Sequence, residues 1–213
     1  MRRRLSRTGL FFRQFLTNYR TTGAILPSGR FLAAALARFV GDGDAGARRI
    51  LEVGPGTGSV TRRIAEAMGP QDQLDVVELN ESFIRCLRDR LQTDESFRCV
   101  ADRTRVLHCP VQELPRDGAY DLIISGLPLN NFSVSEVERV LETLAGLLKP
   151  GGTLSFFQYI AIRRLHALIS GPAERARLRG VGQALEALLR EHEIRRDWVW
   201  PNIPPAWVHH VRL

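Results

Sequence analysis

The chain reads as an α/β protein built on a mostly parallel, doubly wound sheet, and three observations predict it. Ile50–Val60 (I-L-E-V-G-P-G-T-G-S-V) is a short apolar strand, a glycine-rich turn and a helix start. Apolar strand-like runs and helix-periodic stretches then alternate as far as Tyr159. The 213 residues, 44% of them hydrophobic, suffice for one full α/β core.

The first element is basic and amphipathic. Phe11, Phe12, Phe15, Leu16 and Tyr19 share one helical face, opposite Arg13, Gln14 and Asn18. Residues 1–41 hold eight arginines and no Asp, Glu or Lys, whereas the whole chain is only +7, so residues 42–213 sum to −1. The basic character therefore belongs to the N-terminal segment and points to an anionic partner, nucleic acid or an acidic membrane surface. Two placements fit: an interfacial helix lying among lipid headgroups, or a helix packed on the domain with solvated arginines.

A loop, Arg20–Arg30, leads to a helix over Phe31–Val40, and the glycine turn opens a second helix reaching Met68. The next strand, Leu74–Leu79, carries Glu78, and Asn80 is placed to cap a helix whose Phe83, Leu87 and Leu91 share a face. Strands follow at Arg105–His108 and Asp121–Ser125. Ser133 and Glu136 form a capping box for a helix carrying Leu141, Leu144 and Leu148, which stops at Lys149-Pro150-Gly151-Gly152 before a strand over Thr153–Tyr159. Residues 160–193 break the rhythm as a helical insert, read either as a cap offering a second membrane surface or as a plain connecting helix. Ile194–Trp200 and Ala206–Leu213 flank Pro201–Pro205 as a terminal strand pair.

Several classes are disfavoured at once. No apolar run approaches the roughly 20 residues that span a bilayer, and the N-terminus lacks the cleavage site of a signal peptide. Cys86, Cys99 and Cys109 are odd in number and form no C-x-x-C pair, which fits reduced thiols in the cytosol, and no metal site is expected.

The glycine turn carries the chemistry. Gly54, Gly56 and Gly58 let the backbone turn sharply and a ligand approach closely, but G-x-G-x-G is not the dinucleotide spacing, which disfavours a nicotinamide dehydrogenase. Glu52, ending the strand, suits the ammonium of an amino acid better than a pyrophosphate. The segment resembles motif I of the class I S-adenosylmethionine (SAM) methyltransferases. That resemblance implies a Rossmann-like fold with SAM as cofactor, seven strands and an antiparallel last strand. Glu78, 20 residues beyond Gly58, stands where a carboxylate accepts hydrogen bonds from both ribose hydroxyls, with Asn80 beside it. Val111 and Gln112 are the candidates for the adenine; many relatives carry an acidic residue next to this point, and Pro110 departs from that habit.

Ile124–Phe132 (I-S-G-L-P-L-N-N-F) is the second informative stretch. Amine-directed methyltransferases carry variants of N-P-P-Y at this place, a bend whose carbonyls face the acceptor nitrogen. Ser125, Gly126 and Leu127 are therefore assigned to the acceptor, with Ser125 also beside the cofactor. Methyl transfer is an in-line displacement in which positioning does most of the work. Tyr19 and Tyr159 are candidates to orient the amine or relay its proton; substrate phosphate or water could equally take it.

Six segments occur together in order: Arg20–Arg30, E-V-G-P-G-T-G, V-E-L-N at 77–80, S-G-L-P-L at 125–129, L-K-P-G-G at 148–152 and N-I-P-P-A at 202–206. Over nearly the whole chain they resemble the soluble bacterial phospholipid N-methyltransferases. The resemblance implies methylation of phosphatidylethanolamine and its methylated intermediates toward phosphatidylcholine. It also implies that Tyr19, Thr22, Gly23 and Ser28 close over SAM while the N-terminal helix docks on anionic lipid. Gly29, where the family commonly has Ser, and the insert are departures. The expected division is a membrane-binding and cofactor-lid segment over 1–30 and a catalytic domain over 31–213. The expected location is the cytoplasm, peripherally on the inner face of the cytoplasmic membrane, as a monomer without a nucleic-acid partner. The competing readings are an rRNA adenine N6-dimethyltransferase and a non-catalytic membrane-binding protein on a SAM-binding scaffold. Ser125 and Leu129 in place of Asn and Tyr count against the first, and the intact glycine turn against the second.

Overall fold

The computed structural model describes residues 29–41, 46–160, 171–202 and 204–213. The basic helix over 9–19 and its lid loop lie outside the described residues. Seven strands form one sheet in the order β3-β2-β1-β4-β5-β7-β6. They are β1 (Arg49–Val53), β2 (Gln73–Val77), β3 (Thr104–Leu107), β4 (Tyr120–Ser125), β5 (Leu148–Tyr159), β6 (Glu193–Val199) and β7 (Ala206–Arg212). Strands β1 to β5 pair in parallel, and β7 inserts antiparallel between β5 and β6. The α/β expectation and its antiparallel terminal pair hold.

Alternation along the strands divides the core between two faces. Ile50, Leu74, Val76, Leu122 and Ile124 pack beneath α1 (Arg30–Leu36), α2 (Ser59–Ala67) and α3 (Glu81–Thr93). Leu51, Val53, Val77 and Ile123 meet α4 (Val134–Leu147) and α5 (Pro172–His192) on the other. Helix α4 begins as expected: Ser133 N–H donates to Glu136 Oε2 at 2.8 Å, an N-terminal cap worth about 1 kcal/mol. The first helix is shorter than its periodicity suggests, ending at Leu36 and passing into a 3₁₀ turn, Arg38–Val40.

Of the two readings of the 160–193 segment, its described part fits the connecting helix. Helix α5 buries Leu178, Val181 and Leu185, the last two within the core, and leads directly into β6. Beyond it, Glu193 already belongs to β6.

Within the sheet, polar groups are buried in matched sets. Asp75 accepts from Arg105 Nε at 2.6 Å and from the Tyr120 hydroxyl at 2.8 Å. Burial alone would raise its pKa, but these donors hold it below the ordinary value. Ser155, His210 and Asp197 are linked at 2.7 and 3.3 Å in the order of a hydrolase triad. Ser155 and His210 are enclosed within the sheet and Asp197 is paired with Arg38, so the set serves packing. The carboxyl end of the parallel strands holds the unmatched groups.

Candidate active site

The turn after β1 has three left-handed residues, Gly54, Gly56 and Gly58, with φ of 72°, 56° and 84°. Only glycine adopts such values cheaply. Gly54 N–H donates to Val77 O at 3.0 Å, which ties the turn to β2, and Gly58 caps α2. The first turn of α2 thus faces the carboxyl end of the sheet with its positive dipole end. The space where a Cβ of Gly56 would lie is open.

Glu52 is buried at 1% exposure, and neither carboxylate oxygen has a hydrogen-bond partner among the described residues. Burial pushes its pKa up to about 8; Thr61 works against the rise and the neighbouring Glu78 adds to it. The Thr61 hydroxyl and backbone N–H stand close enough to favour the carboxylate, although neither closes a full hydrogen bond to it. A buried acid with no partner is costly unless a cation or a donor completes it.

Glu78 is also buried, but it is fully engaged with backbone. Its Oε1 accepts from Leu79 N–H at 2.7 Å and Asn80 N–H at 2.9 Å, and its Oε2 accepts from Gly56 N–H at 3.2 Å. Burial raises its pKa while these three donors oppose the rise. The carboxylate therefore bridges the end of β2 to the glycine turn. Asn80 is the N-cap of α3, accepting from Ser82 N–H at 2.9 Å. Val111 lies in the core on a short 3₁₀ turn, while the neighbouring Gln112 Oε1 is buried without a partner.

Ser125, Gly126 and Leu127 meet the glycine turn directly. Ser125 is fully buried and in register with Val53 and Phe156. Gly126 N–H donates to Val53 O at 2.8 Å, and a Cβ on Gly126 would stand 2.5 Å from Gly54 O. Nothing larger than glycine fits this crossing of two backbones. Leu127 lies over Gly54, and its carbonyl already accepts from Leu129 N–H at 3.0 Å.

Tyr159 ends β5, packed edge-on against Phe157 with ring centroids 4.9 Å apart. Burial raises its pKa, so the hydroxyl stays protonated near neutral pH and is suited to orienting an amine, not to accepting its proton as a phenolate. Tyr19, Thr22, Gly23 and Ser28 lie outside the described residues.

Sequence reasoning missed Asn130. It is buried on the 3₁₀ turn after Pro128, its Nδ2 reaching Tyr159 O at 3.5 Å and its Oδ1 left without a partner. Arg177 of α5 holds the backbone in place, donating to Asn130 O at 2.9 Å and to Phe132 O. An asparagine within the apolar run L-P-L-N-N-F was the available signal.

The site fits a cofactor that brings an ammonium, hydroxyls and a flat base. Glu52 offers an uncompensated buried carboxyl, Gly56 opens onto free space, Glu78 stands between them, and Gln112 carries an unsatisfied acceptor.

Residues 50–152 match a family model described as a methyltransferase domain. An ornithine lipid N-methyltransferase from Singulisphaera acidiphila is 28% identical over 146 residues, 68% of this chain and 74% of that protein. The ubiquinone/menaquinone biosynthesis C-methyltransferase UbiE of Ectopseudomonas mendocina is 30% identical over 112 residues, 52% of this chain and 41% of that protein, so the chain matches about two fifths of its length. Among solved structures, cofactor-bound Rv0187 from MTB superposes with a TM-score of 0.61 at 19% identity, over 97% of this chain and 90% of that one. With the strand order and the glycine turn, the superposition shows the Rossmann-like α/β fold of these structures, and residues 50–152 carry the similarity to the methyltransferase-domain model.

Proposed function

We propose that the protein N-methylates the amine headgroup of a membrane lipid, carrying phosphatidylethanolamine and its methylated intermediates toward phosphatidylcholine at an anionic membrane surface. The observation that carries this reading is the acceptor corner: a buried S-G-L-P turn pressed on the glycine turn, with Asn130 Oδ1 unsatisfied beside it. The similarity to an ornithine lipid N-methyltransferase supports an amine-bearing lipid as the acceptor class.

Bound SAM supplies a methyl group on a positively charged sulfur, open to attack by a neutral amine. Glu52 as a carboxylate would hold the cofactor's ammonium, and Glu78 would accept from the ribose hydroxyls. Leu127 and Pro128 exclude water from the reacting corner. The carbonyls of Ser125 and Gly126, with Asn130 Oδ1, would accept N–H bonds from the acceptor amine and orient its lone pair. Tyr159 orients the amine while remaining a phenol. The amine proton leaves to lipid phosphate or water, since no Asp or Glu lies within Ile124–Phe132. Most of the rate enhancement is then positioning and desolvation.

The test is radiolabelled methyl transfer from SAM to vesicles of phosphatidylethanolamine with phosphatidylglycerol, beside ornithine-lipid vesicles and small-subunit rRNA. Label in mono-, di- or trimethylated phosphatidylethanolamine is the expected result. Label confined to ornithine lipid would move the substrate within the lipid-amine class. Label in RNA alone, or in none of the three, would overturn the proposal.

A further inference from the structure

Among the described residues, the large hydrophobic side chains that stand exposed are Phe31, Ile194, Trp198 and Trp200. Two of them, Trp198 and Trp200, gather at one place. Trp198 is stacked between Trp200 and Trp207, each pair of rings 4.8 Å apart, and Trp198 and Trp200 are 52% and 62% exposed. Asn202, in the turn joining β6 to β7, accepts from Gly29 N–H at 3.2 Å, which brings the start of α1 to the same turn. Arg30 lies over the Phe31 ring at 4.7 Å.

Topology decides which way this patch faces. Because β7 runs antiparallel to β5, its first residues lie at the carboxyl end of the parallel strands: Tyr159 pairs with Ala206, Gln158 with Trp207, and Trp207 with Trp198. Ser125 pairs with Phe156, which pairs with His209, two residues below Trp207 on β7. The tryptophans therefore rise past the acceptor corner on the same rim, about 14 Å away across three strand spacings.

We propose that this rim is the surface by which the folded domain sits on an anionic lipid bilayer, with Trp198 and Trp200 entering the headgroup layer. Tryptophan, apolar in body with a polar N–H, is suited to that layer. The choice of an anionic surface follows from the chain that enters the fold here. Residues 1–28 carry six arginines and no acidic residue, and they join the domain at Gly29 on this rim, followed directly by Arg30. Docked in this way, the acceptor corner opens toward the membrane plane, and a headgroup reaches it without its acyl chains leaving the bilayer. The proposal rests on the lipid-amine reading for its substrate, but the docking face itself stands on the patch and the topology.

The protein carries its own probe, because Trp198, Trp200 and Trp207 are its three tryptophans. Intrinsic fluorescence of the full chain is recorded as vesicles of phosphatidylethanolamine with phosphatidylglycerol are added, with some lipids brominated near the headgroup end of the acyl chain. A blue shift with quenching is expected, absent with phosphatidylcholine vesicles. The Trp198→Ser, Trp200→Ser double variant should bind the anionic vesicles at least about tenfold more weakly, while methylating lipid dispersed in detergent micelles as the wild type does. Vesicles that bind the protein without shifting or quenching its fluorescence would overturn the proposal. So would an emission already blue without lipid that turns red on dilution, which indicates a second copy on the rim. An emission that reddens when residues 1–16 are deleted would also overturn it, since the N-terminal segment would then be the cover. Methylation of micellar lipid with dry tryptophans would refute the docking face alone; quenched tryptophans with no lipid methylated would refute the substrate reading alone.

Discussion

Replacing Glu52 with Gln turns the least comfortable group in the fold into a measurement. The side chain keeps its size but can no longer ionise. In the wild type, burial holds the Glu52 carboxyl at a pKa of about 8, against an ordinary value of 4.5. The folded state therefore binds this proton more tightly than the unfolded chain. Its contribution to stability is fully present below pH 4.5 and is lost as pH rises through about 8. At about 1.4 kcal/mol per pH unit, that interval amounts to about 5 kcal/mol in all, of which about 3 kcal/mol is gone by pH 7. Urea unfolding of the cofactor-free protein and of Glu52→Gln, compared from pH 5 to pH 8, isolates this group from other titrations. The variant should match the wild type within about 1 kcal/mol at pH 5 and exceed it by several kcal/mol at pH 8. Cofactor affinity should move the other way, because an amide cannot pair with an ammonium. Binding of SAM to the wild type at pH 7 should release a proton, seen as a dependence of binding heat on the buffer's ionisation enthalpy. A stability difference that stays constant with pH would refute both the protonated state and its cause.

Three further outcomes follow from the same corner. Gly126→Ala puts a methyl 2.5 Å from Gly54 O between two backbones; it should lower stability by about 1–3 kcal/mol and abolish methyl transfer, and an unchanged melting temperature would show that the crossing is loose. Glu78→Ala leaves the N–H groups of Gly56, Leu79 and Asn80 without their acceptor; SAM affinity should fall by about tenfold or more, and a full-strength binding isotherm would refute the ribose assignment. Asn130→Leu should slow the first and second methylations but spare the third, because a neutral dimethylated amine has no N–H to offer; equal slowing of all three steps in product analysis would remove Asn130 from the acceptor site.

The fold was legible because its signals are local. The glycine turn, the Ser133–Glu136 cap, the Asn80 cap and the apolar alternation of β1, β2 and β4 each need only neighbouring residues to be read. Element ends were less legible. Strand β2 stops at Val77, before Glu78, because that carboxylate turns back to collect three backbone N–H groups. The segment after Tyr159 resisted interpretation for a different reason. The arginines of α5 mask its buried stripe of Leu178, Val181 and Leu185, and one of them, Arg177, is structural.

The residue types at the site, and the order in which they occur, were determined by the sequence alone: an acid before three glycines, a second acid after the next strand, a bend after the fourth. Which of those groups are satisfied and which are left wanting a ligand was decided only by the tertiary structure. Glu52 and Glu78 look equivalent in the sequence, yet folding gives Glu78 three backbone hydrogen bonds and leaves both oxygens of Glu52 without a full one among the described residues. Asn130 and the three tryptophans acquire meaning the same way, one by losing its partner on burial, the others by meeting on the rim where the strands end. Sequence spacing specifies what a side chain is and roughly which way it points; burial, register and the neighbours brought from 20 to 170 residues away set its charge, its exposure and therefore its use.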